Sequence, residues 1–303
     1  MKLTSPTQLR KVLDELSIRP ARKLGQNFLT DANILRILLQ AANVSAQDVV
    51  LEIGPGLGTV TEQLLAQAGR LIAVEKDGRL VEFLKKRFAG EERLELIHAD
   101  VLDLHLAAVL GSGVTKVVSN LPYASGSRII MEIVRAPTPP AEMVITVQEE
   151  VAARLAAQPG DSERGLLSVG VQMVYDVTMI KKVSPQCFWP KPEVTSAIMR
   201  MARQGRVLSS LEERRGVHVL ARLAFGQRRK QIAAILAHAR VAADSSEAKC
   251  LLERAGIAPS RRPEELTLDE WRQLWQLVKK TRLGISGENR RRDGCGLASK
   301  STV

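Results

Sequence analysis

Between residues 49 and 148, short apolar runs alternate with segments of helical length, and this alternation constrains the fold more than any other feature of the chain. The runs are V-V-L-E-I (49–53), L-I-A-V-E (71–75), L-E-L-I-H (94–98), K-V-V-S-N (116–120) and M-V-I-T-V-Q (143–148). Helical patterns separate them at 59–68, 78–88 and 127–135, and a further helix at 32–42 has Asp31 as its N-cap. Strands that alternate with helices imply a parallel, doubly wound sheet. Near-continuous apolarity fits strands buried on both faces.

After Glu149 the rhythm changes. A helix at 149–157 and a Pro159-Gly160-Asp161 turn precede two antiparallel strands, V-Y-D-V-T-M-I (174–180) and V-T-S-A-I-M-R-M (194–201). A proline-rich loop, S-P-Q-C-F-W-P-K-P, joins them. Beyond 203 the pattern is helical throughout, at 210–224, 228–239, 246–255 and 267–281. The expected organisation is an α/β, Rossmann-like domain over 1–202, a smaller all-helical domain over 203–283, and a disordered tail over 284–303. The first domain carries an N-terminal arm, 1–24, in which Leu9, Val12, Leu13 and Leu16 share one helix face.

Charge divides along the same line. The net charge of the 303 residues is +11, yet residues 1–202 hold 23 Lys/Arg against 22 Asp/Glu, whereas 203–303 hold 21 against 11. A basic module joined to a neutral one points to a polyanion partner, of which nucleic acid is the commonest. A hydrophobic fraction of 45% excludes wholesale disorder. No run approaches the ~18 apolar residues of a membrane span. Lys11, Asp14 and Glu15 interrupt the stretch where a secretory signal would be apolar. A soluble, cytoplasmic, monomeric protein with no membrane partner is expected. Cys187, Cys250 and Cys295 have no paired spacing, so neither a disulfide framework nor a metal site is expected.

The chemistry-bearing loop is E-I-G-P-G-L-G (52–58), placed after a strand and before a helix. Gly54, Gly56 and Gly58 permit close approach of a ligand. A dinucleotide site favours G-x-G-x-x-G; here the third glycine comes one residue early. Glu52 adds a carboxylate that would repel a pyrophosphate and suit a cation. S-adenosylmethionine, with a sulfonium and an ammonium and no phosphate, fits better than NAD. Glu75 ends the second strand about 20 residues beyond the glycines, where a carboxylate accepts both ribose hydroxyls. Asp100 follows the third strand, where it can accept from an adenine amino group.

The fourth strand ends in Asn120-Leu121-Pro122-Tyr123. An exocyclic amine on a base is a poor nucleophile because its lone pair is delocalised. Acceptors from the Asn120 side chain and the Leu121–Pro122 backbone favour its pyramidal, attacking form. Pro122 rigidifies the turn, and Tyr123 offers a face for stacking.

Together these motifs resemble the ribosomal RNA adenine dimethyltransferase family. The stretches that carry the resemblance are A-R-K-L-G-Q-N-F-L-T-D (21–31), E-I-G-P-G-L-G, V-E-K-D (74–77), H-A-D (98–100), N-L-P-Y, Q-E-E-V-A-A-R-L (148–155), F-W-P-K-P-E-V-T-S-A (188–197) and F-G-Q-R-R-K (225–230), in order over about 20–280. The resemblance implies that Gln26, Asn27 and Leu29 lie against S-adenosylmethionine, with Gly54, Glu75, Asp100 and Asn120 contacting it or the target amine. It implies that Tyr123 and Phe188 sandwich the target adenine and that Arg228, Arg229 and Lys230 contact RNA. The implied reaction is N6,N6-dimethylation of two adjacent adenosines in a hairpin loop near the 3′ end of 16S rRNA, within the small ribosomal subunit, with S-adenosylhomocysteine as product. The chain departs from the family's usual pattern at Ala124, at Arg164 and after Lys230. Two alternatives stay open on the sequence: the related large-subunit rRNA adenine methyltransferases of macrolide resistance, and a non-enzymatic assembly or transcription factor on the same fold. A NAD oxidoreductase is a more distant one.

Overall fold

A computed structural model describes residues 5–18, 26–203 and 210–283. The basic stretch at 19–23 and the tail at 284–303, with Cys295, lie outside the described residues. The chain divides into two compact units: 1–157 with 170–211, and 158–169 with 212 onward. The change of rhythm in the sequence suggests a boundary near 203; residues 158–169 instead belong with the helical unit.

The first unit opens with helix α1 (Pro6–Glu15), then the two-residue strand β1 (Phe28–Leu29) and helix α2 (Ala32–Ala42). Asp31 caps α2 by accepting from the backbone N–H groups of Asn33 and Ile34 at 2.9 and 3.0 Å. Strand β2 (Val49–Ile53), α3 (Thr59–Leu65), β3 (Arg70–Glu75), α4 (Gly78–Arg87) and β4 (Leu94–His98) follow. After α5 (Leu106–Gly111) come β5 (Lys116–Asn120), α6 (Gly126–Arg135), β6 (Glu142–Gln148) and α7 (Glu149–Ala156), and then α8 (Leu166–Gln172), whose residues up to Val169 fall in the second unit. Strands β7 (Tyr175–Val183), β8 (Phe188–Trp189) and β9 (Ser196–Arg203) complete the unit.

Seven strands form one sheet in the order β4-β3-β2-β5-β6-β9-β7. The first five are parallel, and β9 pairs antiparallel with both β6 and β7. The chain winds outward from β2 to β4, then returns to place β5 on the other side of β2. Ligands of open α/β sheets bind at such a reversal, beyond the carboxyl ends of the strands. The loops after β2 and β5 are therefore the ones placed to form a site. They carry the glycine motif and N-L-P-Y.

Leu38, Val50, Leu64, Leu71, Val118 and Val144 are completely buried in the core between sheet and helices. Strand β4 departs from the expected two-sided burial: it lies at a sheet edge, and Glu95 and His98 are exposed. A second cluster joins Leu9, Val12, Leu13 and Ile18 to Phe28, Leu57 and Leu80, so α1 packs against the glycine loop itself.

The second unit contains α9 (Leu211–Phe225), α10 (Ile232–His238), α11 (Ser245–Arg254) and α12 (Leu268–Leu283). Helix α10 starts at Ile232 rather than at 228. Gln231 is extended before it, and residues 227–230 form turns instead. Among the described residues, no helix is long and apolar enough to cross a membrane.

Candidate active site

The loop after β2 turns sharply three times, at Gly54, Gly56 and Gly58, with φ of 71°, 61° and 81°. A side chain at Gly56 would also meet the Phe28 ring at 2.9 Å. The turn leaves a cavity of about 300 Å³ beyond the ends of β2, β3 and β5, within the range of small-molecule sites. Gln26, Asn27, Leu29, Gly54, Gly56, Glu75, Asp100 and Asn120 all line it. Gly58 does not. A Cβ there would lie 2.8 Å from Phe88 and 3.0 Å from Leu84, so this glycine lets α3 approach α4.

Three carboxylates at the strand ends have different states. Glu75 is 6% exposed. Its Oε2 accepts from Gly56 N–H at 3.0 Å, and its Oε1 accepts from Lys76 and Asp77 N–H at 2.8 and 2.9 Å. Burial pushes its pKa up, and these three N–H groups oppose that shift. Asp100 is held below its ordinary value by Lys76, whose Nζ lies 2.6 Å from Oδ2, and by Leu102 N–H on Oδ1.

Glu52 corrects the sequence-based expectation. It is 1% exposed, and Thr61 donates to its Oε2 at 2.7 Å. Burial pushes its carboxyl up to about 8, Glu75 adding to the shift and the Thr61 bond opposing it. Glu52 lines the cavity, yet near pH 7 it does so mainly as a neutral carboxyl rather than as a charge. The folded state keeps a proton that the unfolded chain has released, so stability should fall as pH rises from 4.5 to 8. In Glu52→Gln that fall should become shallower, as read from thermal unfolding midpoints across the window. An unchanged slope would mean that Glu52 is ionised in the folded protein.

At the end of β5, Asn120 Nδ2 donates to the Asn27 carbonyl at 2.8 Å. A carbonyl only accepts, so this bond sets which way the amide faces. Asn120 Oδ1 is left buried with no hydrogen-bond partner in the described structure. Leu121 and Pro122 line the cavity beside it. Tyr123 is half-buried and its hydroxyl pairs with Ser196; burial pushes the phenol up to about 12, so it stays neutral.

Phe188 lies not in a free loop but on β8, which pairs with β1 in the register Phe28↔Trp189 and Leu29↔Phe188. Thr30 strengthens this ribbon, donating its N–H and its hydroxyl to the Cys187 carbonyl at 2.8 and 3.1 Å. Phe188 is 3% exposed and meets Tyr123 edge-on, with ring centroids 6.2 Å apart at 74°. The two rings are therefore together, but neither parallel nor part of the cavity wall as it stands. A base entering between them needs one ring to turn.

In the helical unit Arg228, Arg229 and Lys230 are exposed. Arg228 donates to the carbonyls of Ser162 and Arg164 at 2.6 and 3.0 Å, which fastens the 158–169 segment. Sequence reasoning missed the β1–β8 ribbon, the Lys76–Asp100 pair and the Ser196 hydroxyl. The first and last join segments far apart in the chain, and no local signal announces them. Lys76, next to Glu75, is visible in V-E-K-D.

The comparison with family models and the comparison with curated proteins identify the family. The model described as ribosomal RNA adenine dimethylase matches residues 19–280. The chain is 37% identical over 269 residues to the ribosomal RNA small subunit methyltransferase A of Dehalococcoides mccartyi, covering 88% of this chain and 91% of that protein. Among solved structures, a dimethyladenosine transferase from Plasmodium falciparum shares the fold with a TM-score of 0.70 and 24% identity, covering 85% of this chain and 98% of that one. The 23S rRNA methyltransferase ErmE aligns with a TM-score of 0.61 and 25% identity, covering 84% and 100%. With the glycine loop and N-L-P-Y both at the switch point of the sheet, this chain belongs to the ribosomal RNA adenine dimethylase family.

Proposed function

We propose that this protein is an S-adenosylmethionine-dependent adenine-N6 dimethyltransferase of 16S rRNA, acting on two adjacent adenosines of the small ribosomal subunit. The observation that carries the proposal is the Asn120 amide: the residue lines the cavity, its nitrogen donates to Asn27, and its buried oxygen is left without a partner. A fixed acceptor suits an amine whose hydrogens must be held while its lone pair is freed. The small-subunit assignment follows the named relatives at 34–38% identity rather than the large-subunit enzyme at 25%.

The residues present fit the cofactor. Glu75 places a buried carboxylate where ribose hydroxyls can donate, Asp100 offers an acceptor to the adenine amino group, and Gly54 and Gly56 line the cavity without side chains. When bound, S-adenosylmethionine supplies an electrophilic methyl group. Asn120 Oδ1 and the Leu121 carbonyl hold the target amine, Pro122 keeps the turn rigid, and Tyr123 with Phe188 stack the base. The base leaves its own stack to reach this pocket. Catalysis is then mainly positioning, since the amine proton becomes acidic once nitrogen carries positive charge. Arg229 and Lys230, in the basic last third of the chain, contact RNA phosphates, with Arg228 fixing the neighbouring segment.

The test is to incubate undermethylated small and large subunits with the protein and labelled cofactor, and to map N6,N6-dimethyladenosine. Label at two adjacent adenosines of 16S rRNA is expected. Label confined to 23S rRNA would move the assignment to the large subunit, and no label on either would remove the enzymatic one.

A further inference from the structure

Asp100, which the proposed function assigns to the adenine amino group, has no oxygen to itself. Leu102 N–H occupies Oδ1 at 2.9 Å, and Lys76 Nζ occupies Oδ2 at 2.6 Å. Both Lys76 and Asp100 line the cavity. The Lys76 backbone N–H is pinned to Glu75 Oε1 at 2.8 Å, so the side chain starts at the ribose carboxylate and ends on the adenine carboxylate. Its root is therefore fixed while its head is free to move: the Lys76 side chain is 57% exposed and that of Asp100 is 24% exposed. Asp103 also acts on the ammonium, and Arg128, which lines the same cavity, acts on Asp100.

We propose that Lys76 is a positioning residue that competes with the adenosyl ligand for Asp100 and so sets how readily the spent ligand leaves. An incoming adenine amino group must displace the ammonium or share an oxygen whose charge it has already drawn. Either way the ligand is held less tightly than a lone Asp100 would hold it. When the adenine departs, the ammonium recovers its partner, so release is favoured. This matters for an enzyme that places four methyl groups on one substrate, because each transfer leaves one S-adenosylhomocysteine to be exchanged. The inference rests on the cofactor assignment made above.

The experiment is calorimetric titration of the full chain with S-adenosylhomocysteine at low and high salt. Lys76→Met is expected to bind about threefold tighter than wild type, the scale of a solvent-exposed ion pair. Wild-type affinity should rise with salt, which screens the competing pair, while that of Lys76→Met should stay flat. Lys76→Arg should restore the wild-type value, and in an Asp100→Ala background the Lys76→Met change should have no effect. A merely structural lysine would move none of these readouts. Unchanged or weaker binding by Lys76→Met, with wild type binding normally, overturns the role of Lys76 and leaves the cofactor assignment standing. Failure of wild type to bind S-adenosylhomocysteine overturns both.

Discussion

Asn120→Ala is expected to slow single-turnover methylation of small subunits by about 100-fold, the scale of losing one preorganised polar group at a reacting centre. Its affinity for S-adenosylmethionine should change far less. The reason lies in how the amide is held. Nδ2 donates one of its two hydrogens to the Asn27 carbonyl, and Oδ1 is buried with no partner. A buried acceptor left unmade is costly, and it is retained here on a residue that lines the cavity beside Pro122. Asn120→Asp is a sharper probe. It keeps an acceptor but sets a carboxylate oxygen against the Asn27 carbonyl, so the group loses its fixed orientation. It should recover little of the rate. Single-turnover rates within about twofold of wild type in both variants would show that the target amine is held elsewhere.

The second large effect belongs to Glu75. Glu75→Ala should weaken S-adenosylmethionine binding tenfold or more, because hydrogen bonds to a charged group contribute about 1.5–3 kcal/mol. The same carboxylate accepts three backbone N–H groups, from Gly56, Lys76 and Asp77. Its removal should therefore also lower the unfolding temperature and loosen the glycine turn. Glu75→Gln separates the two roles. Its amide fits the volume, but its NH2 must face at least one of those N–H donors. It should recover part of the stability and little of the affinity. Calorimetry on folded protein decides the matter: unchanged affinity in Glu75→Ala would leave Glu75 as a brace for the loop alone.

Much of this site is legible in the amino-acid sequence. The alternation of strands and helices implies the parallel sheet, because period and length of apolar runs are local properties of the chain. The glycine loop, Glu75, Asp100 and Asn120 are legible for the same reason. Each sits at a strand end, and in an open α/β sheet strand ends meet where the winding reverses. The basic last third is a matter of counting. The resemblance to the adenine dimethyltransferases adds Phe188 and the segment 26–29, which no periodicity singles out.

Tertiary structure alone decided the states of these groups. Glu52 reads as a charge in the sequence, yet its complete burial pushes the carboxyl up to about 8, with Thr61 as its hydrogen-bond partner. Asp100 reads as a free acceptor, yet the lysine 24 residues earlier reaches it, since β3 and β4 are adjacent and in register from Leu71↔Leu94 to Glu75↔His98. Gly58 reads as a ligand contact, yet it serves the packing of α3 on α4. Phe188 reads as a loop aromatic, yet it is hung on β1, far earlier in the chain, and set edge-on to Tyr123. Sequence determined which groups stand at the site, since residue type and strand position are written locally. Burial, ionisation and partner choice depend on what the fold brings within a few ångströms, and distant segments supply that.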